Sequence, residues 1–261
     1  YQDAMRADDW AMAHALVSAP VNLGLLHPLE VVEGVERAYE EREEVPLASA
    51  EGCIRQLLGW REFVRHVYRR AMPELATANR LDADRDLPDL YWTGETDLRC
   101  LSETVDDVAT RGYANHIQRL MVLANFATLW GVEPPQLNAW FHATFVDAYH
   151  WVTTPNVVEM GQYGHGSFAT KPYVSSASYI DRMSDYCGEC AYDPDADTGA
   201  DACPFNALYW RFLDRHEDRL RSTHRMGPVY GHLDDRRDAG ELAAIRERVE
   251  ELRALAAEGD L

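Results

Sequence analysis

Residues 112–156 read GYANHIQRLMVLANFATLWGVEPPQLNAWFHATFVDAYHWVTTPN, and the rest of the chain is organised around this stretch. Its apolar periodicity predicts two helices joined by a turn over 131–135. In the first helix, Asn115, His116 and Arg119 fall at helical spacings and share one face. An amide, an imidazole and a guanidinium are unusual groups to bury together on an otherwise apolar helix.

The second helix of this stretch carries a carboxylate between two indoles, through Trp140, Thr144, Asp147 and Trp151. Arg119 and Asp147 are natural ion-pair partners. A buried charge pair is costly unless each member also satisfies another group, so the pair suggests a large polar ligand between the helices. A core salt bridge with aromatic packing explains the same residues without a ligand, and both interpretations stay open on this pattern alone.

The length and composition of the chain fit one domain over 1–261. With 261 residues, of which 46% are hydrophobic, the chain can bury one substantial core. It begins at Tyr1 rather than at a methionine, so we expect a fragment. It has no apolar run long enough for a membrane span and no charged-then-apolar leader, so we expect a soluble, cytoplasmic protein.

The net charge of -19, with Lys171 as the single lysine, argues against a nucleic-acid partner. The excess of acids over loops and outer helix faces fits solubility in a salt-rich cytoplasm and a haloarchaeon-like source. A local basic patch can coexist with that charge, and the best candidate is on one predicted helix: Arg55, Arg61, Arg65, Arg69 and Arg70. A solvated helix face explains these arginines equally well.

The remaining periodicity predicts an all-α fold, because no strand alternation of useful length is present. The predicted helices are Pro28 to about Glu44, 50–72 with Ser49 as its cap, 101–130, 135–152, 204–220 and a terminal helix at about 239–258. We expect 73–98 to be irregular and 153–185 to be a long, functional loop. In 1–27, Ser18, Asn22 and Gly24 interrupt the apolar run, and small and polar residues there could let the backbone approach an anionic group.

Three cysteines form the pattern C-x2-C-x12-C-P at Cys187, Cys190 and Cys203, with Cys100 and Cys53 far upstream. Close pairs of this kind in an intracellular protein are more often metal ligands than disulfides. Structural zinc is one interpretation and iron–sulfur ligation is the other, and spacing alone leaves the two about even. Cys53 lies in an apolar helix and is expected to be a packed thiol.

Several stretches together resemble the iron–sulfur photolyases and cryptochromes of bacteria and archaea, the photolyase-related proteins. The matching stretches are EGCIRQLLGWREFVRHVY, YWTGETDLRCL, GYANHIQRLMVLANF, FVDAYHWVTTPNVVEM, ATKPYVSSASYIDRMSDYCGEC and ACPFNALYWRFLDR. They cover most of 12–230 in the order that the family has them. The resemblance is to the helical, FAD-binding half of the family, so the N-terminal α/β domain that would hold an antenna chromophore is expected to be absent from this chain. A monomer is expected.

The resemblance implies two cofactors. It implies FAD beside Arg119 and Asp147, with Ser18, Asn22 and Asn156 as further cofactor-binding residues. It also implies a 4Fe-4S cluster, whose ligands would be Cys100, Cys187, Cys190 and Cys203. The expected partner is UV-damaged DNA, and the residues expected to contact it are Arg55, Gln56, Arg61 and Lys171.

The resemblance further implies an electron path by which light reduces FAD, with Trp140 near the flavin and Trp92 farther out. Tyr173 resembles another member of that path. The residues alone predict that both tryptophans are buried indoles, which core packing suffices to explain.

His116 resembles the histidine that the family uses beside a (6-4) pyrimidine–pyrimidone lesion. A lesion that receives an electron also needs a proton, which a histidine can deliver near neutral pH. The chain departs from the family at two positions: Asn115 replaces a second histidine, and Thr153 replaces a carboxylate near the flavin. Asparagine forms hydrogen bonds but cannot shuttle a proton.

Three functions compete at this point. The first is a (6-4) DNA photolyase that uses FAD and a 4Fe-4S cluster, and the second is a cryptochrome-like blue-light receptor without repair activity. The third is a nucleic-acid-binding module without light chemistry, since the large primase subunit has a related helical iron–sulfur fold. Trp92, Trp140 and the Arg119–Asp147 pair argue against the third.

Overall fold

The computed structural model describes residues 1–166, 168–259 and 261, and within them it is an all-α structure. The described β-structure is limited to three isolated bridges. The predicted fold class is therefore confirmed. The α-helices are α1 Ser18–Asn22, α2 Pro28–Glu41, α3 Leu47–Arg55, α4 Arg61–Ala71, α5 Leu90–Thr93, α6 Arg99–Arg111, α7 Asn125–Trp130, α8 Pro134–Thr144, α9 His150–Thr154, α10 Ala177–Met183, α11 Pro204–Arg215, α12 Glu217–Leu220, α13 Gly227–Asp238 and α14 Leu242–Glu258.

Three π-helical segments extend these helices. Gln56–Trp60 joins α3 to α4, Gln118–Ala124 precedes α7, and Pro155–Gly161 continues α9. A π-turn inserts an extra residue into a helix, and such insertions are frequent at functional sites. All three segments contribute side chains to the same cavity, which is described below.

The helix that contains Gln118–Ala124 and α7 is the centre of the core. Every residue of α7 is buried, and α7 packs against α11, which in turn packs against α14. Gly161 lets the segment Pro155–Gly161 cross this helix closely, because a Cβ at Gly161 would lie 2.9 Å from Ala124 Cβ. Thr128 Oγ1 donates a hydrogen bond to the Gly161 carbonyl oxygen at 3.0 Å. The close crossing places the segments Gln118–Ala124 and Pro155–Gly161 against one cavity.

Two predicted helices are interrupted in the structure. The helix predicted over 101–130 breaks at Gly112, which ends α6 in the left-handed region at φ 63°. The helix predicted over 135–152 ends at Thr144, so Asp147 lies on a turn and not on a helix face with Trp140. The prediction of one continuous face was wrong because apolar periodicity does not register a short extended break between two helices.

Other predicted boundaries also change. Ser49 does not cap its helix, because Pro46 holds the N-cap position and α3 begins two residues before Ser49. The expected loop over 153–185 contains the Pro155–Gly161 segment and α10. The stretch over 73–98 includes α5, and α13 was not predicted. The terminal helix at about 239–258 is confirmed as α14.

No described helix combines the length and apolar character that a bilayer crossing requires.

The break at Gly112 brings the turn after α8 onto the end of α6. The Gly112 carbonyl oxygen accepts a hydrogen bond from Val146 N at 2.9 Å. A Cβ at Gly112 would lie 2.6 Å from Val146 Cγ1 and 3.4 Å from the Thr144 carbonyl oxygen. Gly112 is therefore needed both for its φ angle and for its close contact with the residue before Asp147.

We predict that Gly112→Ala lowers the free energy of unfolding by about 2 kcal/mol or more, because left-handed strain and overpacking add. Urea unfolding of the purified chain measures this. The matched control is Gly240→Ala, since Gly240 also has a positive φ of 77° but a Cβ there would have no atom within 4 Å. Equal losses in the two variants would contradict the role given to the contact with Val146.

Candidate functional site

The guanidinium of Arg119 binds the carboxylate of Asp147 through two hydrogen bonds. Nη1 donates to Oδ1 at 2.9 Å and Nη2 donates to Oδ2 at 3.1 Å. The Arg119 Nε donates to the Ala114 carbonyl oxygen at 2.7 Å. The side chain of Asp147 is 6% exposed and that of Arg119 is 24% exposed. The pairing predicted from sequence is confirmed, with a planar geometry that fixes both side chains.

Two side chains of helix α1 also donate hydrogen bonds to Asp147. Ser18 Oγ donates to Asp147 Oδ2 at 2.7 Å, and Asn22 Nδ2 donates to the Asp147 carbonyl oxygen at 3.1 Å. Ser18 and Asn22 thus lie at the site, as expected. The structure adds their contacts with Asp147, which the sequence did not indicate. Because the carboxylate accepts bonds from two directions, it is well satisfied despite its burial.

Two aromatic rings lie close to the guanidinium of Arg119. Its guanidinium carbon lies 4.3 Å from the centroid of the Phe145 ring and 5.0 Å from that of Tyr113. Stacking on aromatic faces suits the weakly hydrated guanidinium and holds its plane. Phe145 and Tyr113 flank the two chain breaks described above, so these breaks are what bring the rings to Arg119.

A cavity of about 290 Å³ lies against the ion pair, which is near the lower end of the range for ligand pockets. Most of its wall is apolar, with a few converging polar groups, as is typical of cofactor sites. The lining residues are Ser18, Asn22, Trp60, Tyr113, His116, Arg119, Leu120, Ala124, Phe141, Asp147, Val152, Thr153, Asn156, Val157 and Met160. All five expected cofactor-binding residues and His116 are therefore brought together.

His116 lies at this cavity with its side chain 48% exposed. Its Nε2 lies 3.4 Å from Asp3 Oδ1. Partial burial lowers the pKa of the His116 imidazole, and His14 and Arg119 act in the same direction. The hydrogen bond and the negative charge of Asp3 oppose that shift. The imidazole is thus a titratable group on the cavity wall.

The N-terminal segment surrounds the Asn115–His116 turn, and sequence reasoning missed this. Asn115 Nδ2 donates to the Trp10 carbonyl oxygen at 2.9 Å, and the ring of His14 lies 6.1 Å from the ring of His116. Asn115 is 1% exposed and is not among the lining side chains of the cavity. The irregular pattern of 1–17 gave no signal for these contacts, because they depend on tertiary structure.

The two candidate electron-path tryptophans differ in exposure. Trp140 is 1% exposed, and its Nε1 donates to the Tyr91 carbonyl oxygen at 2.9 Å. Trp92 is 59% exposed, so the prediction that it is buried was wrong. Trp140 packs edge-on against Phe141, a lining residue, and against the Tyr91 ring, at centroid distances of 5.2 Å. Tyr173 is 40% exposed.

Four cysteines surround a second, small cavity: Cys100, Cys187, Cys190 and Cys203. All are free thiols, and Cys53 lies elsewhere. Burial raises the pKa of the Cys203 thiol to about 12 and that of Cys187 to about 11. Within 1–166, 168–259 and 261, no three His, Cys, Asp or Glu side chains are grouped closely enough to hold a metal ion. The four thiols thus converge on one space but are spread more widely than the ligands of a single ion.

Buried hydrogen bonds link the cysteine cavity to the His116 turn. Tyr186, which lines the cysteine cavity, accepts a bond on its hydroxyl oxygen from Gln118 Nε2 at 2.9 Å. Gln118 Oε1 accepts from the Asn115 backbone N–H at 2.8 Å. Gln118 and Tyr186 are each 1% exposed. The start of the central helix is therefore tied to the residues around the cysteines.

Acidic side chains neutralise part of the expected basic patch. Arg55 is 70% exposed but pairs with Glu51. Arg61 stacks on Trp151 at 4.9 Å and pairs with Glu62. Gln56 is exposed and Lys171 is half-buried. The acids on this helix neutralise part of the charge that the arginine count suggested.

Comparison with known proteins gives one long match. The chain is 47% identical over 230 residues, 88% of its length, to a (6-4) photolyase of Agrobacterium fabrum. It covers 45% of that protein's length. Two uncharacterized proteins of Acanthamoeba polyphaga mimivirus are 28% and 32% identical over 42% and 38% of this chain, which covers 80% and 74% of their lengths. No family model matches the chain.

Proposed function

The chain belongs to the photolyase/cryptochrome family, and we propose that it is the FAD-binding part of an enzyme that repairs (6-4) pyrimidine–pyrimidone photoproducts in DNA. The observation that carries the proposal is the position of His116 on the same cavity as the Arg119–Asp147 pair. In this arrangement His116 would be a proton donor beside the cofactor. The chain spans less than half of its photolyase relative, so repair by the whole protein is part of the proposal.

The chemistry of the cavity wall suits FAD, because the wall is mostly apolar and its polar groups are few and fixed. Arg119 and Asp147 present a rigid, paired edge, and Asn156 contributes an amide. The Asn156 Nδ2 already donates to the Val152 carbonyl oxygen at 2.8 Å, which leaves its side-chain oxygen as an acceptor for a ligand. When bound, reduced and photoexcited FAD would supply the electron that starts cleavage of the lesion.

His116 would supply the proton in this scheme. A lesion that has gained an electron becomes more basic, and a donor within hydrogen-bond reach can protonate it before the electron returns. The damaged bases must leave the DNA stack to reach the cavity. Trp140, packed behind Phe141, and the exposed Trp92 would connect the site to the surface for light-driven reduction of FAD.

A 4Fe-4S cluster would be held by Cys100, Cys187, Cys190 and Cys203. In such a cluster each thiolate binds a different iron, so the four sulfurs stand farther apart than around a single zinc. In the described part of the chain the four thiols converge on one cavity but form no close three-ligand group, which fits the cluster better than zinc.

A light receptor without repair activity is the second candidate, and Thr153 favours it. Thr153 lines the cavity where the family commonly has a carboxylate, and its Oγ1 accepts a hydrogen bond from Tyr149 N at 3.1 Å. A site with fewer proton-transfer groups would suit a protein that is reduced by light but does not process a lesion.

A repair assay on a His116 variant tests the proposed repair function. We predict that His116→Ala abolishes (6-4) repair and leaves light-driven reduction of FAD intact, because the imidazole is the proton donor and not part of the aromatic path.

Because the pKa of His116 is lowered, repair by the unaltered chain should fall as pH rises through that pKa, where the protonated fraction is lost. Asn115→His should keep or raise repair. If neither the unaltered chain nor Asn115→His repairs (6-4) DNA while both are photoreduced, the light-receptor function replaces this proposal.

We predict that Arg119→Ala and Asp147→Ala each lose FAD, because each leaves a buried or partly buried charge unpaired, at a cost of about 3 kcal/mol for the buried Asp147. Flavin absorbance per mole of purified protein measures this. Arg221→Ala is the matched control, since Arg221 pairs with Asp234 on the exposed surface. Full flavin retention in both site variants would contradict the assignment of the cavity.

We predict that replacing any of Cys100, Cys187, Cys190 or Cys203 by serine removes iron and sulfide and loosens the fold, because metal binding and folding are coupled. Cys53→Ser should retain the full cluster and serves as the control. Iron and sulfide analysis after anaerobic preparation gives the answer. Stoichiometric zinc without sulfide would refute the cluster.

We predict that the chain binds damaged DNA through few phosphate contacts, with a salt dependence of about 0.9 log units per contact for each tenfold change in salt. A triple variant, Arg55→Ala with Arg61→Ala and Lys171→Ala, should bind more weakly and with a shallower slope. A triple variant of Arg221, Arg237 and Arg246 removes as many charges from the C-terminal third. Loss of affinity in the control variant alone would place the DNA site elsewhere.

A further inference from the structure

Two histidines, His142 and His150, lie on either side of the turn that holds Asp147. His142 is in the last turn of α8, and His150 is the first residue of α9. Their imidazole rings have centroids 5.5 Å apart and planes tilted by 40°. His142 is partly buried, whereas His150 is exposed. The pair therefore joins the two helices across the turn, and one of its rings is open to solvent.

One nitrogen of each ring is already engaged in a polar contact. His142 Nδ1 lies 2.7 Å from the Asn138 carbonyl oxygen, which can only accept, so this nitrogen carries the proton. His150 Nδ1 lies 3.0 Å from the hydroxyl oxygen of Tyr68, which can accept a hydrogen bond from it. When Nδ1 carries the proton of a neutral ring, Nε2 is left with a lone pair.

The lone pair of His142 Nε2 is buried and has no hydrogen-bond partner among the described residues. Asn138 lies one helical turn earlier, and its side-chain oxygen Oδ1 is a second buried acceptor without a described partner. Unpartnered buried acceptors are costly, so a group that satisfies acceptors is expected at this place. A metal ion that carries bound water would satisfy both atoms.

The spacing of the two rings matches that of two histidines bound to one ion. A zinc ion about 2.1 Å from a ring nitrogen lies about 3.2 Å from the centroid of that ring. Two rings placed in this way have centroids 5.5 Å apart when the angle at the ion is about 120°, which is close to the tetrahedral angle that zinc prefers.

The contacts of the two Nδ1 atoms are of the kind that metal-binding histidines make. Such histidines donate their second ring N–H to an oxygen acceptor, which fixes the tautomer and the orientation of the ring. The Asn138 carbonyl oxygen has this position beside His142, and the Tyr68 hydroxyl oxygen has it beside His150. The net charge of -19 also favours the approach of cations to the surface of the chain.

We propose that His142 and His150 bind one divalent transition-metal ion through their Nε2 atoms, with water in the remaining coordination positions. A metal-bound water would donate a hydrogen bond to Asn138 Oδ1. Neither histidine is among the described lining residues of the cavity at the ion pair or of the cysteine cavity, so this is a third site. Two protein ligands are fewer than a closed zinc site has, so the ion should be exchangeable.

The ion would restrain the turn that carries Asp147. One of its ligands precedes this carboxylate in the chain and the other follows it, so the metal bonds would cross-link the end of α8 to the start of α9. Asp147 forms its ion pair within the span that is closed in this way. The cross-link does not depend on the proposed repair function.

A calorimetric titration of the anaerobically prepared, cofactor-loaded chain with Zn²⁺ tests the site. We expect one exchangeable Zn²⁺ per chain. His142→Gln and His150→Gln should each lower its affinity by more than about tenfold, because loss of an outer hydrogen-bond partner alone costs about that much. Tyr68→Phe keeps the ring but removes the partner of His150 Nδ1, so it should lower the affinity about tenfold.

The matched control is His232→Gln, which removes an exposed imidazole from α13 and should leave the affinity unchanged. Because His150 is exposed, His150→Gln removes a ligand without opening the core, and it decides the test if His142→Gln fails to fold. Equal Zn²⁺ affinity in the unaltered chain and in His150→Gln would overturn the proposal. Absence of an exchangeable Zn²⁺ would also overturn it and would leave water as the partner of His142 Nε2.

Thermal unfolding tests the cross-link itself. An ion that binds the folded chain and not the unfolded one raises the unfolding midpoint by mass action. Added Zn²⁺ should therefore raise the midpoint of the unaltered chain and of His232→Gln, and it should have little effect on His150→Gln. An equal rise in His150→Gln would place the stabilising ion elsewhere and overturn the cross-link between α8 and α9.

Discussion

The ion pair between Arg119 and Asp147 is the contact on which the rest of the site depends. It joins three parts of the chain: the central helix through Arg119, the turn after α8 through Asp147, and α1 through the hydroxyl of Ser18. The third guanidinium bond, from Nε to the Ala114 carbonyl oxygen, fixes the start of the central helix as well. Because a half-broken pair would leave a charge in an apolar surrounding, these segments must assemble together. The cavity is a consequence of that assembly.

A second line of buried bonds connects this site with the cysteines. Gln118 lies one residue before Arg119. Its side-chain oxygen accepts a hydrogen bond from the Asn115 backbone N–H, and its Nε2 donates one to the Tyr186 hydroxyl oxygen. Since Tyr186 lines the cysteine cavity, displacement of the cysteine segments would disturb the turn that carries His116. Buried hydrogen-bond networks of this kind favour one arrangement of the helices around them. The two sites therefore depend on the same few residues at the start of the central helix.

The sequence predicted the all-α fold and the Arg119–Asp147 pair, because opposite charges within apolar periodic stretches have few alternative partners. It also predicted that the cysteine pattern converges. It did not predict the turn that holds Asp147, since that turn depends on the left-handed Gly112 and its contact with Val146. Nor did it predict His14 beside His116, because the contact joins residues about a hundred positions apart and leaves no local pattern. Trp92 was expected to be buried, but hydrophobicity alone does not decide which of two indoles reaches the surface.

The lining of the cavity limits how protons can enter the proposed reaction. Asp147 is committed to Arg119, the Thr153 hydroxyl accepts from Tyr149 N, and Asn115 is turned to Trp10. Among the lining side chains, His116 is then the one whose ordinary pKa lies near neutrality. The described wall has no second side chain whose ordinary pKa lies near neutrality to return the proton, so the ring would be recharged from its exposed side. Asp3 is the neighbour whose carboxylate favours the protonated ring, whereas burial, His14 and Arg119 lower the pKa of His116. The protonation of His116 therefore depends on Asp3 of the N-terminal segment as well as on Arg119 of its own helix.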